Sequence, residues 1–239
     1  DVHLLTTAGN LDINTDITYD SARTLDLMAN SNVNITHLVQ NSGSGAINVG
    51  AGWDGSTGMA TVTANNCPPV TGDYFNGSLV KADASTYGLN NGAVNIGAVA
   101  GTTPAAVGSA SGQTNVLGHA ANLLGGTAGN FAQIGFRPTA TSGAATGQVM
   151  VGLTDGDLTM TGNAAGSYAQ VGHGGTGSNG DNVGGAIMID LNTDADTTRG
   201  GMTLNGGGSA NAYSQVGHGG QGVGGNKSDD ITIAADSVS

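Results

Sequence analysis

The sequence predicts an all-β protein folded as a right-handed parallel β-helix, and three observations support this. An eight-residue segment, Tyr-Ala-Gln-Val-Gly-His-Gly-Gly at residues 168–175, returns with one substitution at residues 213–220. Short apolar runs recur at similar distances before and after each copy, which is the signature of stacked structural repeats. The composition includes 44 Gly and no Glu, while Thr, Val and Ile stand in short alternating runs, a pattern that favours strands over helices.

Residues 1–58 carry a repeat of about 22 residues. The run at 11–13 aligns with 33–35, and the run at 25–27 aligns with 47–49, each at a step of 22. Each run alternates apolar and polar residues, as a strand does when one face is buried. Gly, Asn and Ser between the runs are turn residues. Two or three strands in 22 residues make one coil of a β-helix, and the crossover rule for parallel strands predicts a right-handed coil.

Residues 59–115 are predicted to be irregular coils with loop excursions. The single cysteine, Cys67, precedes two prolines, which are disfavoured inside a sheet, so residues 59–92 are interpreted as an excursion. The strand pattern resumes at 93–97. Residues 98–115 are rich in Gly, Ala, Ser and Thr and are interpreted as a long turn.

Residues 116–239 are predicted to form enlarged coils of about 44 residues within the same single domain, 1–239. Each unit would contribute three strands to one coil, which makes Tyr168 a stacking neighbour of Tyr213. About five short coils and three long ones would give a rod roughly 40 Å long at about 4.8 Å per coil.

His173 and His218 are the most conspicuous candidate metal ligands, because each precedes Gly-Gly in the repeated segment. The looser upstream copy has Phe136 at this position, which favours stacked, hydrogen-bonded corner histidines over a metal site. Asp and Asn at alternate positions of 190–196 look like the start of a calcium loop, but the Gly and Glu that complete such a loop are missing. Calcium binding there stays open, and no metal or cofactor site is assigned.

The charge excludes several classes of partner. Seventeen acidic residues stand against five Lys and Arg, giving a net charge of −12 and a pI of about 4.2. Nucleic acid would be repelled, and no apolar run approaches the roughly 20 residues of a membrane-spanning helix. The scattered cations, the absence of Glu and the lack of a Ser-His-Asp arrangement indicate that the chain is not an enzyme and has no catalytic residues.

Several segments together resemble the repeat region of filamentous-haemagglutinin-type bacterial exoproteins. They are residues 4–14, 24–29, 51–55 and 230–235, together with the two Gly-His-Gly-Gly copies. The resemblance implies a large adhesin that leaves the cell by two-partner secretion and folds outside it as a β-helix. The function expected from it is a structural and adhesive extracellular rod at the bacterial surface, with a glycan or cell-surface receptor as partner. The alternative is a polysaccharide-degrading β-helix enzyme.

The two ends of the sequence give an expectation about assembly. Strand patterns begin at Val2 and end near Ala235, and neither end shows an amphipathic helix or a Pro-rich cover. Unpaired strand edges template further pairing. We therefore expect the terminal coils either to continue into more chain or to stack end to end into filaments.

Overall fold

The computed structural model describes residues 1–53, 91–97, 101–138, 143–178, 182–191 and 199–239. Among these residues all regular structure is β-strand, in 19 segments. The described residues contain no helix that is long and apolar enough to cross a membrane. The strands of the first three coils are β1 Val2–Thr6, β2 Leu11–Ile13, β3 Ile17–Tyr19, β4 Leu25–Ala29, β5 Val33–Ile35, β6 Leu38–Asn41, β7 Ile47–Ala51, β8 Ala93–Gly97 and β9 Ala105–Ser109. The remaining strands are β10 Thr114–Gly118, β11 Ala120–Leu124, β12 Phe131–Ile134, β13 Val149–Leu153, β14 Leu158–Thr161, β15 Tyr168–Val171, β16 Ile187–Asp190, β17 Met202–Asn205, β18 Tyr213–Val216 and β19 Ile231–Ala234.

Every third strand pairs in parallel, which makes the fold a parallel β-helix as the sequence predicts. Sheet 1 has the order β1-β4-β7-β10-β13-β16-β19. Sheet 2 has the order β2-β5-β8-β11-β14-β17, and sheet 3 has β3-β6-β9-β12-β15-β18. One coil therefore takes one strand from each sheet, and the described residues form six such coils and begin a seventh with β19.

The pairing registers agree with the repeats read from the sequence. Leu11 pairs with Val33 and Leu25 with Ile47, each one 22-residue step apart. Tyr168 pairs with Tyr213, 45 residues further on, in one enlarged coil of three strands. The step of about 44 residues predicted from residue 116 does not hold for the preceding coil, because Phe131 pairs with Tyr168 after only 37 residues. The constant register keeps the same alternate residues inside, where buried aliphatic side chains stack into a continuous core.

The predicted coil count of eight was wrong. Among the described residues, β7, β8 and β9 make a single coil, although β7 ends at Ala51 and β8 begins only at Ala93. Six coils and a partial seventh correspond to a rod of roughly 30 Å at about 4.8 Å per coil. The excursion predicted at 59–92 falls almost wholly outside the described residues, as does Cys67.

The long turn predicted at 98–115 was also wrong, because this stretch contains strand β9 and the start of β10. Its small side chains are a packing requirement. Ala105 pairs with Ala132 inside the coil, and both are fully buried. A Cβ on Gly108 would lie 2.2 Å from the carbonyl carbon of Gly135 in the next coil.

Candidate functional site

The repeated segment forms strands β12, β15 and β18 of sheet 3 and the corner that follows each of them, here called the corner motif (131–136, 168–175 and 213–220). Its aromatic residues stack on the outer face of sheet 3. The Tyr168 ring lies 4.9 Å from Phe131 and 5.1 Å from Tyr213, with interplanar angles of 9° and 4°. Burial raises the pKa of the Tyr168 hydroxyl far above its usual range. The rings therefore form a continuous column along the helix axis.

The glutamine of the corner motif ties each coil to the next. Gln133 donates from Nε2 to the carbonyl of Gly172, at 2.7 Å. Gln170 repeats the contact one coil later, donating to the carbonyls of Gly217 at 2.8 Å and Gly219 at 3.0 Å. The side-chain amides thus bond corner carbonyls of the next coil, as buried polar groups require. At Gly219 the carbonyl is shared with the backbone N–H of Gly175.

Two glycines of the corner motif are required by close approach. Gly172 has φ +135°, and a Cβ there would lie 2.2 Å from the Gly217 carbonyl oxygen. Gly175 has φ +107°, and a Cβ there would lie 2.0 Å from the Tyr168 hydroxyl. The chain after the histidine therefore folds back over the tyrosine ring at a distance only glycine allows.

His173 and His218 stack on each other, with ring centroids 5.3 Å apart. The Nδ1 of His173 accepts from the backbone N–H of Phe136 at 2.9 Å, so its Nε2 carries the proton and donates to the Gly147 carbonyl at 2.6 Å. His218 repeats the pattern, accepting from the His173 N–H at 3.1 Å and donating to the Gly185 carbonyl at 2.8 Å. Burial lowers the pKa of His173 to about 4 and also lowers that of His218.

The backbone uses both nitrogens of each stacked ring, so neither histidine has a lone pair left for a metal ion. In the described part of the chain, no three His, Cys, Asp or Glu side chains gather into a group that could hold a metal. Residues 192–198, most of the candidate calcium loop, lie outside the described residues. Asp190 ends β16 and is buried.

Arg137 follows the upstream copy of the corner motif and was not singled out from the sequence. Its guanidinium carbon lies 4.6 Å from the centre of the Phe131 ring, within cation–π range. The same group donates to the Thr176 carbonyl at 2.6 Å, and the Thr176 hydroxyl bonds the Tyr213 hydroxyl at 2.8 Å. Arg137 therefore links the corners of coils four and five, and the Thr176 hydroxyl extends the link to coil six.

A row of polar side chains runs along the outer face of sheet 2. Asn34 donates from Nδ2 to Asp12 at 2.6 Å, Asn95 to Asn34 at 2.8 Å, and Asn122 to Asn95 at 2.9 Å. Thr159 and Thr203 continue the register. This exposed row consists of Asp12, Asn34, Asn95, Asn122, Thr159 and Thr203.

A second row, on the outer face of sheet 1, is buried. Asn48 donates to Asp26 and Asn115 donates to Asn48, both at 2.7 Å, and His3 Nδ1 lies 2.5 Å from the other Asp26 oxygen. Asp26 is 0% exposed. Apolar, buried Met150 continues the row, so the face is excluded from water between its ends, while His3 on β1 is exposed and Thr232 on β19 is partly exposed. The 22-residue step from Asp26 to Asn48 could have revealed the row, but not its burial.

Comparisons with known proteins give no family for the chain. No family model matches it, and no curated protein or solved structure matches it either. Its function is therefore inferred from the geometry of the described residues and from the sequence.

Proposed function

We propose that the chain is a structural and adhesive segment of an extracellular rod, part of a large bacterial surface exoprotein that mediates attachment to surfaces, matrix or other cells. The main support is that polar side chains bond from coil to coil. Asp12 and Asp26 accept from Asn side chains of the next coil. Asp157 accepts from the Gly201 N–H at 2.8 Å. In these contacts the carboxylates hold neighbouring coils together, which is the role expected of them in a structural shaft.

The architecture supports a shaft because its stability is additive. Each coil contacts only its neighbours, so a stack can be lengthened without changing its cross-section. Buried aliphatic columns and corner motifs repeat the same contacts at every step. Such a rod can therefore hold exposed faces and loops at a distance from the cell by repeating the same coil contacts.

The extracellular location rests on the resemblance of the repeat segments to secreted adhesins. The composition agrees with it, because a fold held by stacking needs no disulfide and the chain has one cysteine. The net charge of −12 would keep a repetitive β surface soluble. Stacking of segments into filaments belongs to the same proposal, since β1 and β19 are the outermost strands of sheet 1 in this chain.

Adhesion is tested with beads coated with the folded 239-residue chain and with the same mass of heat-unfolded chain as control. We expect the folded coat to hold epithelial cells or extracellular matrix more strongly than the unfolded coat. Equal retention would contradict the adhesive function. Sedimentation at increasing concentration tests filament formation.

Location and catalysis need separate measurements. Protease added to intact producing cells should remove the chain, and protection until lysis would contradict the surface location. Incubation with a panel of polysaccharides should release no new reducing ends. Turnover of any of them would favour the β-helix enzyme over the rod.

A further inference from the structure

Sheet 2 is the side of the coil that presents an ordered row of side chains to solvent. On sheet 1 the equivalent positions from β4 to β16 are at most 2% exposed, and only the end positions His3 and Thr232 are accessible. On sheet 3, Gln133 and Gln170 are fully buried at the corners. The exposed row of sheet 2 is partly or fully accessible at every coil. Among the described residues, it is the continuous lateral surface available to a partner.

The side chains of this row are held in fixed positions before any partner arrives. Each amide of Asn34, Asn95 and Asn122 donates one N–H to the preceding coil. A primary amide has two N–H donors and two acceptor lone pairs, so each keeps one donor and at least one lone pair for solvent. Side chains that are already ordered lose little entropy on binding.

A parallel line of positions lies beside the exposed row, two residues further along strands β8, β11, β14 and β17. On β14 it contributes Thr161, and on β11 it contributes Leu124, both partly exposed. Two hydroxyl groups, Thr159 and Thr161, therefore stand next to an apolar side chain on one flat face. This combination of directional polar groups and a small apolar patch suits a polyhydroxylated ring.

The charge on the outer face of sheet 2 further limits the chemical class of partner that it can bind. The six strands of sheet 2 contain no Lys or Arg, and Asp12 is their single charged residue. The chain as a whole carries a net charge of −12. An anionic polymer would find no cation on this face and a repulsive field around it. An anionic partner is therefore disfavoured, and a cationic one would find a single carboxylate, Asp12, on these strands, so the face suits a neutral partner that binds through hydrogen bonds.

We infer that sheet 2 binds an extended, neutral, β-linked glycan that lies along the axis of the coils. The rows repeat every coil, about 4.8 Å, and successive sugars of a β-1,4-linked chain advance by nearly the same distance. Amides and hydroxyls of the exposed row would contact sugar hydroxyls, and Leu124 would contact the C–H face of a ring. The inference rests on the proposed adhesive function and names the class of its receptor.

The test uses the double variant Thr159→Val/Thr161→Val, which removes two hydroxyls and keeps the shape of both side chains. The matched control is Thr232→Val on the outer face of sheet 1. Binding is measured by co-sedimentation with cellulose and chitin and by calorimetry with soluble β-1,4-linked oligosaccharides of increasing length. We expect affinity to rise with length and to fall about tenfold in the double variant, equivalent to about 1.4 kcal/mol, with no change in Thr232→Val.

Three results would overturn the inference: no binding to neutral glycans, equal affinity in the double variant, or binding to heparin alone. Matching thermal unfolding of the double variant and the wild-type chain excludes misfolding. If the double variant is unstable, Asn122→Ala probes the same row. Beads coated with the double variant separate the two proposals. Undiminished cell adhesion would leave the adhesive rod standing and refute the glycan receptor.

Discussion

Substituting Gly172 by Ala tests whether the corner motif is dictated by the distance between coils. Gly172 has φ +135° and a Cβ there would meet the Gly217 carbonyl oxygen at 2.2 Å. Gly217 is the matched control. Its φ is +145°, but a Cβ there would meet nothing nearer than its own neighbour Gln215, at 3.3 Å. Both variants share the backbone strain, about 1–3 kcal/mol, and only Gly172→Ala adds a clash with the next coil.

The additional loss of stability in Gly172→Ala follows from the distance that the Gly217 carbonyl must move to relieve the clash. The carbonyl of Gly217 must move from 2.2 Å to the 3.4 Å at which ordinary contact begins, a shift of 1.2 Å. That shift breaks the bond from Gln170 Nε2 to this carbonyl, now 2.8 Å, and strains the Gly217 N–H bond to Val171, now 2.9 Å. Leaving such buried groups unsatisfied costs about 1–3 kcal/mol each. Gly172→Ala should therefore lose about 2–4 kcal/mol more than Gly217→Ala.

Chemical denaturation gives the two losses, and amide hydrogen exchange locates them. We expect faster exchange at 168–178 and 213–220 in Gly172→Ala, with the first coils unaffected, because each coil contacts only its neighbours. Equal destabilisation of the two variants would refute the steric argument. Exchange rising uniformly along the chain would refute the local origin of the effect.

Three further predictions concern the stacks. The free energy of unfolding should fall by about 3 kcal/mol as the pH drops from 6.5 to about 4, because His173 takes up a proton in the unfolded chain but not when it is buried. Replacing His173 by Phe, the residue type of the upstream copy, should reduce this dependence in denaturation measured at several pH values. An unchanged dependence would mean that another group causes it. Asn48→Leu should cost about 2–4 kcal/mol in thermal unfolding, because it removes the amide that donates to the buried Asp26 carboxylate. The partly exposed Asn95, which donates to Asn34 on sheet 2, should cost under about 1 kcal/mol when replaced by Leu; equal losses would contradict the assigned burial. Tyr168→Ala removes a buried ring stacked on both faces and should cost about 3–5 kcal/mol by denaturation, and a loss under about 1 kcal/mol would mean that the column adds little.

Register was the part of the fold that the sequence revealed most fully. A parallel coil places the same in-and-out phase at every step, so the run at 25–27 and the run at 47–49 had to align. The corner motif was readable for the same reason, because its copies occupy equivalent corners. The stacking of Tyr168 on Tyr213 and of His173 on His218 followed directly.

The number of coils and the burial of outer faces were not readable from the sequence. The repeat length gives the number of coils only where no residues are inserted between strands. The interval from Ala51 to Ala93 contains such an insertion. Alternation distinguishes the inner from the outer face but does not say whether the outer face meets water. Asp26 and Asp12 occupy similar sequence patterns, yet the first is fully buried and the second is exposed. Arg137 acts through contacts with later coils that no local pattern encodes.

The two polar rows explain why the chain uses Asp and Asn and contains no Glu. In both rows each Asn donates towards the preceding coil, and the row reaches an Asp acceptor, Asp12 or Asp26, near the amino end. A carboxylate only accepts hydrogen bonds, so it can terminate a row whose donors point towards it but cannot continue one. Like charges stacked about 4.8 Å apart would also repel. Amides both donate and accept, so they extend the row through Asn34, Asn95 and Asn122.

The length of the side chain completes the argument. The Asn side chains span one strand spacing with donor–acceptor distances of 2.6–2.9 Å. Glu carries one more methylene, so its carboxylate would overshoot the equivalent residue and would have to fold back, losing side-chain entropy. The longer Gln133 reaches a corner carbonyl two positions beyond its strand partner, at Gly172, although Gln113 bonds its equivalent Gln148 directly at 3.0 Å. In the two polar rows of sheets 1 and 2, strand spacing and the direction of donation therefore favour Asn and Asp.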